Sequence, residues 1–112
     1  MKNKYLYDVT KLLEQARPKL AITYNLTFKN CFGAVAGYVD GNIFISYGKF
    51  GVALKLPKVV LDDLFKEKDI EHLRYFPNGH IKKEYAVLPR RILENKKTLK
   101  NLIDKSIQFV ET

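Results

Sequence analysis

Few residues in this chain have side chains that could do chemistry, and they lie far apart in the sequence. The 112-residue chain has two histidines, His72 and His80, and a single cysteine, Cys31. A zinc site needs three or four histidine, cysteine or carboxylate ligands at short spacings, and neither histidine has a second ligand at such a spacing. Cys31 has no histidine nearby in sequence to act as a base for a thiolate nucleophile. The sequence therefore predicts no metal site, no cofactor and no cysteine nucleophile.

Carboxylates and glycines also recur at short spacings without forming a known site. The acidic cluster at residues 62–71 lacks the central glycine and alternating ligands of a calcium loop. Five glycines between residues 33 and 51 lie within and between strand-like runs. A phosphate-binding loop instead connects a strand to a helix N-terminus. We expect solvated carboxylates and hairpin glycines, and with no catalytic constellation the sequence predicts a protein that is not an enzyme.

The net charge of the chain is +8, from 20 basic and 12 acidic residues. Residues 81–112 hold eight basic and four acidic residues, which makes the last third the most basic part. A field of this sign attracts polyanions, but 16 lysines against four arginines favour a role in solubility over specific recognition. Weak, sequence-nonspecific nucleic-acid binding stays open as an alternative. Its candidate contacts are Lys82, Lys83, Arg90, Arg91, Lys96, Lys97 and Lys100.

Three segments have the apolar periodicity of helices. From Lys4 to Arg17 apolar residues recur along one helical face, and Pro18 ends the helix because the residue before a proline avoids the α region. Pro57 is predicted to open a short helix that reaches about Leu64. Residues 95–110 place apolar side chains on one helical face and lysines outside it.

The segments between these helices have the composition and alternation of strands. A first strand is predicted from Ala21 to Phe28. The block from Cys31 to Leu56 is predicted to form three strands, joined by a type I′ turn at Asp40-Gly41 and a glycine-bearing turn at residues 48–51. Two further strands are predicted at residues 73–76 and 81–88. This order predicts an α+β fold, in which a curved antiparallel sheet is packed on one face by the N- and C-terminal helices, as one domain over residues 1–112.

The turn at Asp40-Gly41 also predicts which side chains share a face of the sheet. In a two-residue turn Val39 faces Asn42 and Gly37 faces Phe44, whose ring would use the space that the glycine leaves. Alternation then predicts a core face made of Ala36, Tyr38, Ile43, Ile45, Tyr47, Val52 and Leu54. The opposite, less apolar face is predicted to carry Val35, Gly37, Phe44, Ser46, Ala53 and Lys55.

Two blocks of the sequence resemble the N-terminal domain of the TfoX competence-regulator family. The first is Cys31-Phe32-Gly33 with the strand, Asp-Gly turn and strand that follow to Phe44. The second runs from Phe76-Pro77 through Gly79 and Lys83-Glu84-Tyr85 to Pro89. Cys31 stands where the family has methionine, and Ile81-Lys82 where it has Pro-Met. The resemblance covers roughly residues 10–110 and implies a protein that is not characterised as enzymatic.

Together these observations predict a non-catalytic regulatory or interaction module that acts through protein contacts. We expect a protein partner or a homodimer, with the strand edges and the less apolar sheet face, represented by Val35, Phe44 and Ala53, as the contact surface. No apolar run reaches the length of about 18 to 20 residues that a membrane span needs. No apolar segment of a secretory signal follows the basic start, so a cytoplasmic location is expected.

Overall fold

The computed structural model describes residues 3–112, which form five helices and one open sheet of six antiparallel strands. The helices are α1 (Lys4–Ala16), α2 (Leu20–Thr23), α3 (Lys58–Leu64), α4 (Arg90–Leu93) and α5 (Lys96–Glu111). The strands are β1 (Leu26–Cys31), β2 (Ala34–Val39), β3 (Asn42–Gly48), β4 (Gly51–Lys55), β5 (Glu71–Leu73) and β6 (Lys82–Leu88). None of the helices in the described range is long and apolar enough to cross a bilayer.

The helices begin and end where the sequence supplies caps and prolines. Asn3 and Asn95 are the N-caps of α1 and α5, and each side-chain oxygen accepts a hydrogen bond from the backbone N–H three residues later. Pro57 precedes α3, as predicted. Pro89 opens the short helix α4, which periodicity did not predict. The α+β architecture, with terminal helices on one face of the sheet, is confirmed.

The order of strands in the sheet is β1-β2-β3-β4-β6-β5. The first predicted strand begins later than expected, because residues 20–23 form α2 and the strand starts at Leu26. The fifth strand comes earlier than predicted, over Glu71–Leu73, and is followed by a loop, residues 74–81, that we call the strap. The turn after Gly48 has two loop residues, since Gly48 pairs with Gly51.

A β-bulge at Phe44 changes which residues of β2 face the helices. Val39 pairs with Asn42 and Tyr38 with Ile43, as predicted, but Gly37 then pairs with Ile45. The one extra residue on β3 therefore shifts the pairing of β2 with β3 on the far side of the bulge from the turn. The prediction that Gly37 faces Phe44 is wrong. A Cβ on Gly37 would instead lie 2.6 Å from the Cγ2 of Ile45, so the glycine makes room for that side chain.

The bulge divides the predicted core face between the two sides of the sheet. Ile45, Tyr47, Val52 and Leu54 contribute to the core beneath the helices, as predicted. The prediction fails for three residues of β2 and β3, because the register places them on the side of the sheet away from the helices. Those residues are Ala36, Tyr38 and Ile43.

The outer face of the sheet is partly covered by the strap. A second, smaller cluster of buried side chains lies there, formed by Ala53, Leu73, Tyr85 and Val87. Phe50 and Tyr75 pack against this cluster. The outer face is thus a second packed layer rather than an open platform.

Candidate functional site

The three side chains predicted to form a protein-contact surface are buried. Val35 and Phe44 lie in the core beneath the helices, with 2% and 0% of their surface exposed. Ala53 is 0% exposed and lies in the cluster on the outer face. A partner therefore meets none of these three side chains at the surface of the folded chain.

The structure separates the seven predicted nucleic-acid contacts. Lys82 and Lys83 begin β6, whereas Arg90 and Arg91 follow its end, and a strand of this length spans about 20 Å. Both arginines are engaged by carboxylates: Arg90 Nε lies 2.8 Å from Glu94, and Arg91 contacts two acidic side chains. All seven basic residues are exposed, the remaining three being Lys96, Lys97 and Lys100 in the first turns of α5.

Arg91 is held by the acidic loop that follows α3. Its guanidinium lies 2.6 Å from both Glu67 Oε1 and Asp69 Oδ2. These hydrogen bonds lower the pKa of Asp69 and raise that of Arg91. The ion pairs link α4 to residues 67–69 on the protein surface, so Arg91 has a structural role here.

The most distinctive surface feature is a cleft lined by aromatic rings at the end of the sheet where β1 turns into β2. This aromatic cleft has a volume of about 550 Å³. Its lining brings together α1, the turns at residues 32–33 and 49–50, and the strap. The lining residues are Tyr5, Phe32, Gly33, Ala34, Lys49, Phe50, Arg74, Tyr75, Phe76 and Pro77.

Four aromatic rings form the walls of the cleft by edge-to-face contact. The Phe32 ring centre lies 5.7 Å from that of Tyr75 and 5.5 Å from that of Phe76. Phe50 contacts Tyr75 from the other side at 5.4 Å. Phe32 and Phe76 nevertheless remain 69% and 54% exposed, whereas phenylalanine side chains are usually buried. The two phenylalanines therefore contact each other without being covered.

The backbone of Phe32 has a conformation that is unfavourable for phenylalanine. Phe32 and Gly33 form the two-residue turn between β1 and β2, with φ angles of 51° and 80°. Glycine adopts such angles freely, but a bulky L-residue does so at a cost of about 1–2 kcal/mol. Asparagine or aspartate would suit the position better. An exposed aromatic side chain on a strained backbone is typical of a functional contact.

Tyr75 fixes the strap to the middle of the sheet. Its hydroxyl shares a hydrogen bond of 2.8 Å with that of Ser46 in β3, a side chain that is fully buried. Burial raises the pKa of Tyr75, although the Ser46 bond opposes the shift. Burial also raises the pKa of Tyr85, which lies in the cluster beneath the strap. Both tyrosines are therefore neutral at neutral pH, and Tyr75 acts as a hydrogen-bonding group.

The charges around the cleft have one sign. Lys49 and Arg74 line it, and no carboxylate does. The Lys82 ammonium lies 6.0 Å from the centre of the Tyr75 ring. Within residues 3–112, none of these three basic side chains lies within 4.0 Å of a carboxylate. The cleft thus combines an apolar wall with unpaired positive charge.

A second cleft, of about 580 Å³, lies beside α5 and is lined mostly by polar side chains. Two of its charged groups pair with each other, since Arg17 contacts Asp104. The described residues contain no group of three or more histidine, cysteine or acidic side chains that could hold a metal. The aromatic cleft therefore offers the better binding surface.

The prediction from sequence did not identify the aromatic cleft. The signal available was Phe32-Gly33 itself, because a residue followed by glycine between two strand-like runs indicates a tight turn. Phenylalanine in such a turn points away from the core. The two blocks that carry the family resemblance meet here, since Phe32 comes from the first and Phe76 from the second.

The comparison with protein families identifies one family that covers most of the chain. The TfoX N-terminal domain matches residues 19–110, which include all six strands and both blocks. No curated protein and no solved structure matches the chain. Because the family match extends over most of the 112 residues, the chain belongs to the TfoX N-terminal domain family.

Proposed function

We propose that this protein is a non-catalytic regulatory module that binds a protein partner at the aromatic cleft. The observation that carries the proposal is Phe32, an exposed aromatic side chain held at positive φ beside the exposed Phe76. Aromatic side chains are enriched at protein interfaces, where their burial contributes much of the binding energy. The family assignment agrees with a regulatory role, in keeping with the resemblance to competence regulators.

A pull-down from a lysate of the source organism tests the proposal. The purified wild-type protein and a Phe32→Asn, Phe76→Ser variant are immobilised in equal amounts. We expect the wild type to capture a protein that the variant loses by at least about tenfold, as for interface hot spots. The captured protein, identified by mass spectrometry and purified, should then bind the wild type directly. Circular dichroism establishes that the variant is folded.

The matched control is Ile22→Asn. Ile22 is 85% exposed and lies in α2, before the start of β1, whereas Phe32 follows the end of that strand. Loss of this exposed apolar side chain should leave capture unchanged. Capture that is the same for all three proteins would contradict the proposal. Light scattering tests whether the partner is a second copy of this chain. A dimer of the wild type that is lost when Phe32 is replaced would show that it is.

The alternative function, nucleic-acid binding through the basic C-terminal third, has less support. Arg90 and Arg91 are paired with carboxylates, and Lys82 and Lys83 lie at the other end of β6. Fluorescence anisotropy with labelled duplex and single-stranded DNA at low salt tests it. Affinity that falls steeply with salt and with removal of Lys96, Lys97 and Lys100 would favour this alternative.

A further inference from the structure

We infer that the segment bound in the aromatic cleft is an acidic peptide that packs one large apolar side chain against the exposed faces of Phe32 and Phe76. This inference rests on the proposed function, because it names the chemistry of the partner at the same site. Three features of the cleft support it: unpaired basic side chains, the shape of the apolar wall, and the orientation of the rings.

Arg74 differs from the other arginines of the chain. Of four arginines, Arg17, Arg90 and Arg91 contact carboxylates, and among the described residues only Arg74 has no carboxylate within 4.0 Å. A guanidinium binds a carboxylate through two parallel hydrogen bonds, and such charge-assisted bonds are strong. Arg74 is exposed and begins the strap at the cleft, so a carboxylate from outside can reach it.

Lys49 supplies a second charge at the cleft. It lies in the turn between β3 and β4, and Arg74 lies in the strap after β5, so the two charges come from different elements that line one cleft. The net charge of +8 adds a long-range attraction for acidic partners. These charges favour carboxylates flanking the apolar side chain, and they disfavour a basic peptide.

The apolar part of the cleft suits one large side chain. Phe32 and Phe76 meet at 64° between ring planes, with Gly33 and Ala34 beside them. A Cβ on Gly33 would have no atom within 4 Å, so the surface next to Phe32 is open. An aromatic or aliphatic side chain packed there would cover the exposed parts of both phenylalanines, which stabilises a complex by removing apolar surface from water.

The ring orientations favour a peptide over a single-stranded nucleic acid. Stacked bases need ring faces that are free and nearly parallel along the strand. Tyr75 is already contacted by Phe32, by Phe50 and by the Lys82 ammonium. Phe32 and Phe76 are far from parallel and contact each other, so two bases that remain stacked on each other would not both lie flat on these rings. An acidic peptide uses the same charges without this requirement.

Selection from a phage library of random dodecapeptides tests the inference. Phage are selected on the immobilised wild-type protein after depletion on the Phe32→Asn, Phe76→Ser variant. We expect enriched peptides to carry an aromatic or large aliphatic residue with aspartate or glutamate within three positions on either side. A synthetic copy of the best peptide, with its acidic residues replaced by lysine, should bind at least about tenfold more weakly.

Charge inversion in the protein gives a result that a merely structural role would not produce. A Lys49→Glu, Arg74→Glu variant should bind the acidic peptide at least about tenfold more weakly and prefer the lysine-substituted peptide. The matched control is Lys19→Glu, Lys105→Glu, which changes the net charge equally at two exposed lysines that lie outside the cleft and have no carboxylate within 4.0 Å among residues 3–112. Equal binding of both peptides by the inverted variant would overturn the inference.

Two other outcomes would also overturn it. Enriched peptides without an acidic excess would assign the cleft to neutral apolar segments. A labelled 15-mer of deoxythymidine that binds wild type, and loses binding in the Phe32→Asn, Phe76→Ser variant, would assign it to nucleic acid. If no peptide is enriched while capture from lysate still depends on Phe32 and Phe76, the peptide class is wrong and the proposed function stands. If capture is also independent of these residues, both proposals are wrong.

Discussion

The two ends of β2 carry turns with the same backbone and opposite chemistry. Phe32-Gly33 precedes the strand with φ angles of 51° and 80°, and Asp40-Gly41 follows it with 50° and 83°. A Cβ on Gly33 or Gly41 would meet no atom within 4 Å, so both glycines are required for their conformation rather than for space. The two turns therefore differ mainly in the residue that precedes the glycine.

Asp40 stabilises its turn by local hydrogen bonds. Its carboxylate accepts a bond of 2.8 Å from the N–H of Asn25, and its own N–H donates to the Asn25 carbonyl at 2.9 Å. Aspartate also tolerates a positive φ because its short polar side chain bonds to nearby backbone. The Asp40 turn is thus suited to folding, and it fixes the chain before β1 to the end of β2.

Phe32 makes no comparable contribution to its turn. Its ring contacts Tyr75 and Phe76, both near or on the surface, and most of it faces water. A residue that conflicts with local backbone preference, and gains little burial in return, marks a position selected for something other than stability. This contrast is the main reason for assigning binding to the Phe32 end of β2 and folding to the rest of the sheet.

The largest expected difference is between two phenylalanines. Phe44 forms the bulge in the strand that follows the Asp40 turn and is fully buried, so Phe44→Ala should lower the free energy of unfolding by about 3–5 kcal/mol. Phe32→Ala removes an exposed ring and should cost about 1 kcal/mol or less. Urea denaturation measures both variants. Equal costs would show that Phe32 is a structural residue and would remove the contrast.

The bulge at Phe44 also marks where prediction from sequence stops. Helical periodicity located α1, α3 and α5 closely, and the Asp-Gly dipeptide located the hairpin. Phe44 and Ile45 are both apolar, so alternation alone cannot tell which of them is the extra residue. Both point to the core, and Ser106 of α5 donates a hydrogen bond to the Phe44 carbonyl. The register is decided by packing against a helix that is distant in sequence. The residue pattern of a single strand carries no information about that packing.

The site was harder to predict than the fold, for a related reason. Apolar residues are normally assigned to the core, so Phe76 carried no sign of exposure, and the Phe32-Gly33 dipeptide was the one local sign of an exposed turn. Val35 in β2 and Phe44 in β3 were assigned to a surface because strict alternation, without the bulge, predicted the wrong face for both. The basic residues were grouped by sequence position, whereas Arg74 and Lys49 meet at the cleft only through the fold. Local pattern predicts elements well, but a site assembled from distant turns depends on their packing.

A second expected effect concerns the stabilising turn. Asp40→Ala removes the bond to the Asn25 N–H and places alanine at positive φ, so it should cost about 2 kcal/mol in all. Asp40→Asn keeps an oxygen acceptor and a residue that tolerates this conformation, and should stay within about 0.5 kcal/mol of wild type. Neither change should alter partner capture. Capture lost in Asp40→Ala while the protein is folded would show that binding extends to this end of β2.

A smaller effect is expected at the strap that supports Phe32. Tyr75→Phe removes one partner of the bond with the buried Ser46 hydroxyl and should cost about 1 kcal/mol. Combining Ser46→Ala with Tyr75→Phe tests the pair. The free energy of unfolding of the double variant should fall by less than the sum of the two single losses. Urea denaturation gives all four values. Additive losses would show that the two hydroxyls do not stabilise each other.

The same tyrosine predicts a dependence of stability on alkaline pH. Burial raises the pKa of Tyr75 in the folded chain, so the folded state holds its proton more tightly than the unfolded state. The contribution of Tyr75 to stability is therefore complete below a pH of about 10, which is the pKa of tyrosine in the unfolded chain. It is lost as the pH rises through the higher pKa of the folded chain. Between about pH 8 and 11, Tyr75→Phe should lose less stability than wild type. Tyr85, whose pKa burial also raises, should leave a residual slope in the variant.

Only a small change in stability is expected at Phe32 itself, and this variant separates the two turns most directly. Phe32→Asn relieves about 1 kcal/mol of backbone strain and removes edge contacts of similar size, so the free energy of unfolding should stay within about 1 kcal/mol of wild type. Partner capture should nevertheless fall. If stability falls by more than about 2 kcal/mol, Phe32 belongs to the fold. If stability and capture are both unchanged, Phe32 has no role in binding. A stable protein that no longer binds is the result that only a functional turn produces.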